Sequence, residues 1–146
     1  MAKVARAARN ASLMRVETIT PSSNGTVSAP TKTIADAETG EVYFVDVSSY
    51  TAVVKLPPPR EGMYFKFIMS QASNNEDAND FAIITDAAGT DIHGVIEDGG
   101  GLVEVAGHST IQLDNSVGSF IITAGDFLEL VSDGTYWYVS GRILVD

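Results

Sequence analysis

The chain contains no cysteine in its 146 residues. Disulfide frameworks and thiolate metal sites are therefore excluded, and cysteine usage says nothing about redox compartment. No apolar run approaches the length that crosses a bilayer, so neither a membrane-spanning helix nor a membrane partner is expected. The opening Met1-Ala-Lys-Val-Ala-Arg-Ala-Ala-Arg-Asn10 is basic but lacks the apolar core of a secretory signal. It has the Arg/Ala-rich, acid-poor look of an organelle transit peptide, yet no long Ser-rich extension follows. Signatures of catalysis are missing too. There is no Gly-x-Ser-x-Gly elbow around Ser132-Asp133. Gly99-Gly100-Gly101 lacks the Gly-Lys-Ser/Thr of a phosphate loop. The acidic stretch Asn74–Asp80 lacks the alternating oxygen ligands, central glycine and terminal glutamate of an EF-hand.

What is present is acid. The formal net charge is −10, and it is unevenly placed. Lys3, Arg6, Arg9 and Arg15 all precede the first acidic residue, Glu17. The acidic remainder disfavours nucleic acid as a partner and keeps the body soluble. A short basic arm on an acidic body reads as a docking segment, or as a disordered solubilising tail.

Length suits one domain with an appendage. Residues 1–15 are rich in alanine and arginine and could form an amphipathic helix, which alone would be marginal in water. Residues 16–40 are dominated by Thr, Ser and Pro, which favours extended backbone, pairing at most one strand onto another surface. We therefore expect an arm over residues 1–40 and a body over 41–146.

From Glu41 onward the pattern is β. Strands are expected at Glu41–Val47, Thr51–Leu56, Met63–Met69, Phe81–Thr85, Asp91–Ile96 (weaker, and broken by Gly94) and Leu102–Ala106. Further strands are expected at Thr110–Leu113, Ser119–Thr123, Phe127–Val131, Thr135–Ser140 and Arg142–Val145. Many short strands with close turn signals imply an all-β, compact antiparallel sandwich or barrel. The closing run is the clearest. Alternating apolar residues flank Asp133-Gly134, a strong hairpin signal. A two-residue loop there would place Val131 opposite Thr135 or Tyr136. Leu128 and Leu130 share one face, as do Trp137 and Val139. Trp137 then points inward and Tyr136 and Tyr138 outward, or the reverse. Outward aromatics suit a subunit interface.

His93 and His108 are the only neutral-pH acid/base candidates. Each lies beside a glycine where a turn is expected, which reads as a solvated loop histidine. Meeting symmetry mates on a threefold axis to bind a metal is the alternative. Asn74–Asp80 reads as a solvated hairpin end, and Ser132-Asp133 as turn residues. No cofactor, metal or catalytic residue is expected.

An ordered series of motifs runs through the body: Val53-Val54-Lys55-Leu56-Pro57, Gly62-Met63-Tyr64-Phe65-Lys66-Phe67, Phe81-Ala82-Ile83-Ile84-Thr85, Asp91-Ile92-His93-Gly94, and Ser132-Asp133-Gly134-Thr135-Tyr136-Trp137-Tyr138-Val139. This series, from Glu41 to Gly141, resembles a β-domain recurrent in tailed-bacteriophage virion proteins. It departs from that domain at His93, where a small or acidic residue is commoner. The resemblance implies a non-enzymatic, often trimeric protein of the kind found as capsid decoration (cement) proteins, head fibres and tail-fibre components. It implies a virion location on the capsid surface and the major capsid protein as partner. On that reading Lys3, Arg6, Arg9 and Arg15 form a capsid-docking arm, and Asp133, Gly134 and Trp137 define the closing hairpin. The alternative is a fibre component that binds a host-surface glycan. A small hydrolase is a third class, without a constellation to support it.

Overall fold

The structure, a computed structural model, describes residues 14–71, 79–86, 91–99, 101–113 and 122–143. It is all-β, with two sheets packed face to face. Among the described residues eleven strands run in chain order. They are β1 (Arg15–Ile19), β2 (Lys32–Thr33), β3 (Glu41–Asp46), β4 (Ala52–Lys55), β5 (Tyr64–Gln71) and β6 (Phe81–Ile84). β7 (Ile92–Asp98), β8 (Gly101–His108), β9 (Thr110–Leu113), β10 (Phe127–Ser132) and β11 (Trp137–Ile143) complete the set. The seven-stranded sheet has the order β1-β3-β5-β10-β11-β7-β8 and the four-stranded sheet the order β2-β4-β6-β9.

From β1 to β6 the chain alternates strictly between the two sheets. Each return lands parallel to the strand before last: β1 with β3, β3 with β5, β2 with β4, β4 with β6. Parallel neighbours need a long crossover, and here each crossover carries a strand of the opposite sheet. The sheets are therefore mixed, which corrects the antiparallel expectation. Alternation along one strand reveals its faces but not its partner's direction.

The core follows from that alternation. Tyr43, Phe65, Phe67, Leu128, Leu130 and Trp137 all point inward from the large sheet and are buried. Tyr43 stacks on Phe67 at 5.3 Å between ring centroids. Phe67 meets Phe81 of the small sheet at 5.6 Å, and Phe65 meets Trp137 at 5.7 Å. The Phe67–Phe81 pair joins the two layers and the other two link strands of the large sheet, all at favourable separations.

Residues 14–40 do not form a free arm. They are extended, as their composition suggests, but β1 and β2 are edge strands of the body's own sheets. Between them, Gly25 donates to Thr51 O and Asn24 Oδ1 accepts from Thr51 N. Thr31 Oγ1 accepts from Val53 N at 3.1 Å. The expected boundary at residue 40 therefore moves to the N-terminal side of β1, and any helix ends before Arg15.

Three strand boundaries differ from expectation. β7 passes unbroken through Gly94. The strands expected on either side of Gly141 are one strand, β11, which runs through Gly141 to Ile143, while residues 144 and 145 of the second expectation lie outside the described residues. The closing hairpin pairs Ser132 with Trp137, so its loop is four residues, Asp133–Tyr136, and Val131 lies opposite Tyr138. Only Gly134 there has positive φ, +98°. The Asp133 carboxylate makes the longer loop stable by accepting from Thr135 N and Tyr136 N, each at 2.8 Å. The Ser119–Thr123 expectation lies mostly outside the described residues.

Candidate functional site

Three places carry the side chains of interest: an ionic clasp under β1, the outer face of the large sheet, and that sheet's two open edges.

The clasp joins β1, β2 and the short 3-10 turn Asp36–Glu38 to β3. Lys32 Nζ donates to Glu17 at 2.9 and 3.0 Å and to Glu38 Oε1 at 2.6 Å. Tyr43 OH donates to the same Glu38 oxygen. Burial opposes the charge on Lys32, but hydrogen bonds to Glu38 and Glu17 outweigh it and raise its pKa above the ordinary value. Burial likewise opposes ionisation of Glu38, and the Ala35 N–H and Lys32 overcome it, so the carboxyl sits below its ordinary value. Burial, then Glu38, push the Tyr43 hydroxyl far upward. Carboxylate oxygens of Glu17, Glu38 and Glu41 lie within 4.8 Å of one another, as metal ligands would. The Lys32 ammonium bonds two of these groups and supplies the compensating cation itself.

Replacing Lys32 with Met is expected to cost about 1–2 kcal/mol of unfolding free energy at pH 7, since two part-exposed carboxylates lose their shared cation. The Glu38 contribution is complete above its ordinary value of 4.5 and disappears as pH falls through its lower folded value. The Lys32 contribution is complete below 10.5 and disappears as pH rises through its higher folded value. Urea titrations across pH should show the wild-type advantage widest between these limits and shrinking beyond both. A gap that grows in acid would contradict the clasp.

On the outer face, Tyr64, Val131, Tyr138 and His93 stand side by side across β5, β10, β11 and β7. Trp137 is the inward neighbour and Tyr136 and Tyr138 are outward, resolving the two alternatives. Tyr138 OH donates to Asp133 Oδ2 at 3.0 Å, which raises the tyrosine's pKa. The Tyr136 and Thr135 N–H groups hold the Asp133 carboxyl below its ordinary value. His93 meets Tyr136 edge-on at 5.2 Å. It lies in a strand rather than a turn, and so does His108, at the end of β8. Below this row Lys66 pairs with Glu129 at 2.6 Å and lies over the Phe127 ring. A shallow depression of about 160 Å³ opens beside Tyr64, Glu129 and Tyr138.

Among the described residues the edge strands of the large sheet are β1 and β8. β8 carries exposed Leu102 and Val103, and β1 carries exposed Val16 with Met14 just before it. Between β8 and the other sheet's edge, β9, lies a groove of about 250 Å³ floored by Val103, Val105, Ile111 and Leu113, with Asp98 and Glu104 on its lining.

Of the residues singled out from sequence, Lys3, Arg6, Arg9 and Asn74 to Asp77 lie outside the described residues. Arg15 is described. It donates to Ala37 O at 3.0 Å and approaches Glu41 at 3.7 Å, so it braces β1 rather than extending from the body. Ser132 and Asp133 are turn-forming: Ser132 Oγ accepts from Gly134 N at 3.0 Å. Asp80 accepts from Gln112 Nε2 at 3.0 Å, which ties the end of the polar loop to β9. Gly99 donates to Ile143 O, closing the β7–β8 turn against β11.

Sequence reasoning missed the clasp and the open edges. The edge signal was present, since Gly101-Leu102-Val103-Glu104 puts adjacent apolar residues on both faces of a strand. The clasp had none, because its members come from four segments that only the fold brings together. No family model, curated protein or solved structure matches this chain.

Proposed function

We propose that the chain is a non-enzymatic phage virion structural protein, a capsid decoration or cement protein that acts as three copies on the outer shell. The observation that carries this reading is the closing hairpin of the motif series. Asp133 caps its turn through two N–H groups, and Trp137 drives its returning strand into the core. Those are the residues on which the resemblance to the tailed-phage β-domain is most specific.

The mechanism follows from charge and reach. The fourteen residues before β1 hold Lys3, Arg6 and Arg9 and no acid, and they lead into that edge strand. A basic tip recognises acidic patches on a shell protein. Three tips on one particle multiply weak contacts by effective concentration. Binding only the assembled shell stabilises that state by linkage.

The structure sharpens the test. Removing residues 1–40 would strip β1 and β2 from their sheets, so the informative deletion is residues 1–13. The full chain should co-sediment in many copies with undecorated shells of the same virus's major capsid protein. The deletion should weaken that binding by about tenfold or more, equivalent to about 1.4 kcal/mol. Unchanged binding of the deletion would remove the arm from the mechanism. Absence of co-sedimentation by the full chain would reject decoration.

The second reading, a head-fibre or tail-fibre component that binds a host-surface glycan, draws on the Tyr64 and Tyr138 rings beside the outer-face depression. Binding to host cells rather than shells would favour it.

A further inference from the structure

We propose that the β8 edge and the groove beside it take an extended segment of another protein, one that alternates apolar and basic side chains. This surface is separate from the basic opening, and its chemistry holds whether or not the partner is a shell protein.

The backbone offers the first half of the site. β8 is eight residues long, and among the described residues it pairs only with β7. One row of its N–H and C=O groups is left for a further strand, the arrangement that β-augmentation uses. Lysine and proline, which commonly protect an edge, are absent from β8. Its one register shift lies opposite Ile92 and His93, so Gly101–Ala106 pairs regularly and presents a straight edge.

The side chains offer the second half. Successive residues of a strand face opposite sides. Val103 and Val105 turn to the groove and share its floor with Ile111 and Leu113 of β9. Leu102, 76 % exposed, and Glu104 take the other face, with Glu104 also on the groove's lining. A segment paired onto β8 would lay every second side chain over the apolar floor and the others beside Glu104. The groove holds about 250 Å³, less than the roughly 300–1,000 Å³ of sites for drug-sized molecules. It suits a few aliphatic side chains carried on a backbone.

Charge selects the alternate positions. The sequence has no lysine or arginine between Lys66 and Arg142. Strands β6 to β9 therefore carry Glu97, Asp98 and Glu104 and no such base. Arg142 of β11 is level with Glu97 and approaches it at 3.8 Å. Asp98 and Glu104 line the groove, and among the described residues no lysine or arginine does. A basic side chain there is attracted and an acidic one repelled. Two β8 edges paired on each other would set acid against acid, which disfavours that occupant.

The probe is a dye-labelled Lys-Val-Lys-Val-Lys-Val-Lys peptide with blocked ends, titrated with the full chain at about 0.15 M salt and followed by fluorescence anisotropy. It should bind at least about tenfold more tightly than Glu-Val-Glu-Val-Glu-Val-Glu or Lys-Ser-Lys-Ser-Lys-Ser-Lys. Glu104→Lys, an exposed change, and Val103→Asn should each weaken it by about fivefold or more. Urea midpoints of both variants check that they fold, and Glu104→Lys carries the test if Val103→Asn does not. Bound peptide should slow hydrogen exchange within Gly101–His108 and not on β1.

Equal binding of the Glu-Val peptide would remove the charge selection, and equal binding of the Lys-Ser peptide would reduce the contact to diffuse attraction; either overturns the proposal. Binding indifferent to both variants, or protection confined to other strands, would place the peptide elsewhere and overturn it. A multi-copy mass by light scattering that Glu104→Lys or Val103→Asn reduces to one chain would give the groove to a second copy. Failure of all three peptides to bind would leave the groove to the chain's own residues and overturn the proposal as well.

Discussion

Gly94→Ala is expected to cost about 3 kcal/mol or more, combining backbone strain with an overpacked contact. Gly94 sits at φ +143°, where L side chains are strained. A Cβ there would come within 1.9 Å of Val139 O and within 3.0 Å of Val139 N. Both are backbone atoms of the neighbouring strand, so no rotamer relieves the clash. β7 must move away from β11, and β8, which among the described residues pairs only with β7, must follow it. For a domain with typical stability of about 5–15 kcal/mol this is a large fraction. Gly101→Ala is the control: its Cβ would meet nothing within 4 Å and its φ is not positive. It should change stability by no more than about 0.5 kcal/mol. Urea unfolding followed by circular dichroism compares the two. Equal midpoints would mean that β7 and β11 do not approach as described.

Trp137→Ala should cost about 3–5 kcal/mol, the range for truncating a buried large aromatic. Trp137 is 0 % exposed and packs on Phe65 at the start of the strand that links β10 to β7. Its indole Nε1 has no hydrogen-bond partner among the described residues. Trp137→Phe therefore loses volume but no hydrogen bond, and its cost should be only about 1–2 kcal/mol. A Phe variant as damaged as the Ala variant would show that the indole N–H does make a bond in solution. As the only tryptophan, Trp137 also reports on the wild type. Its fluorescence should shift to the red as the buried ring meets water on unfolding.

These two positions show different degrees of legibility. Alternation alone put Trp137 and Val139 on one face and Leu128 and Leu130 on one face without deciding which face turned inward, and all four are buried. A period of two is a local property, and a half-buried strand displays it without reference to its partner. Gly94 was misread for the complementary reason. A glycine in a weak strand pattern looks like a break, but here it is the point where β11 passes too closely for a side chain. That requirement comes from residue 139 and is invisible around residue 94. Asp133-Gly134 lies between: the turn was legible from the dipeptide, but its length was not. Two further carboxylate bonds, to Thr135 and Tyr136, stabilise a four-residue loop over a two-residue one.

The sequence by itself determined that the protein is all-β, where most strands lie, which residues of a strand share a face, and that a basic opening precedes an acidic body. Composition, alternation and turn chemistry act over a few residues, so they can be read from those residues. Only the tertiary structure decided that the sheets are mixed and that residues 14–40 belong to the body. Only there do Glu17, Lys32, Glu38 and Tyr43 become one clasp, and β1 and β8 the open edges. Each of these depends on which distant segments meet. Strand partnership is set by packing two sheets around one aromatic core, an energy shared across the whole chain.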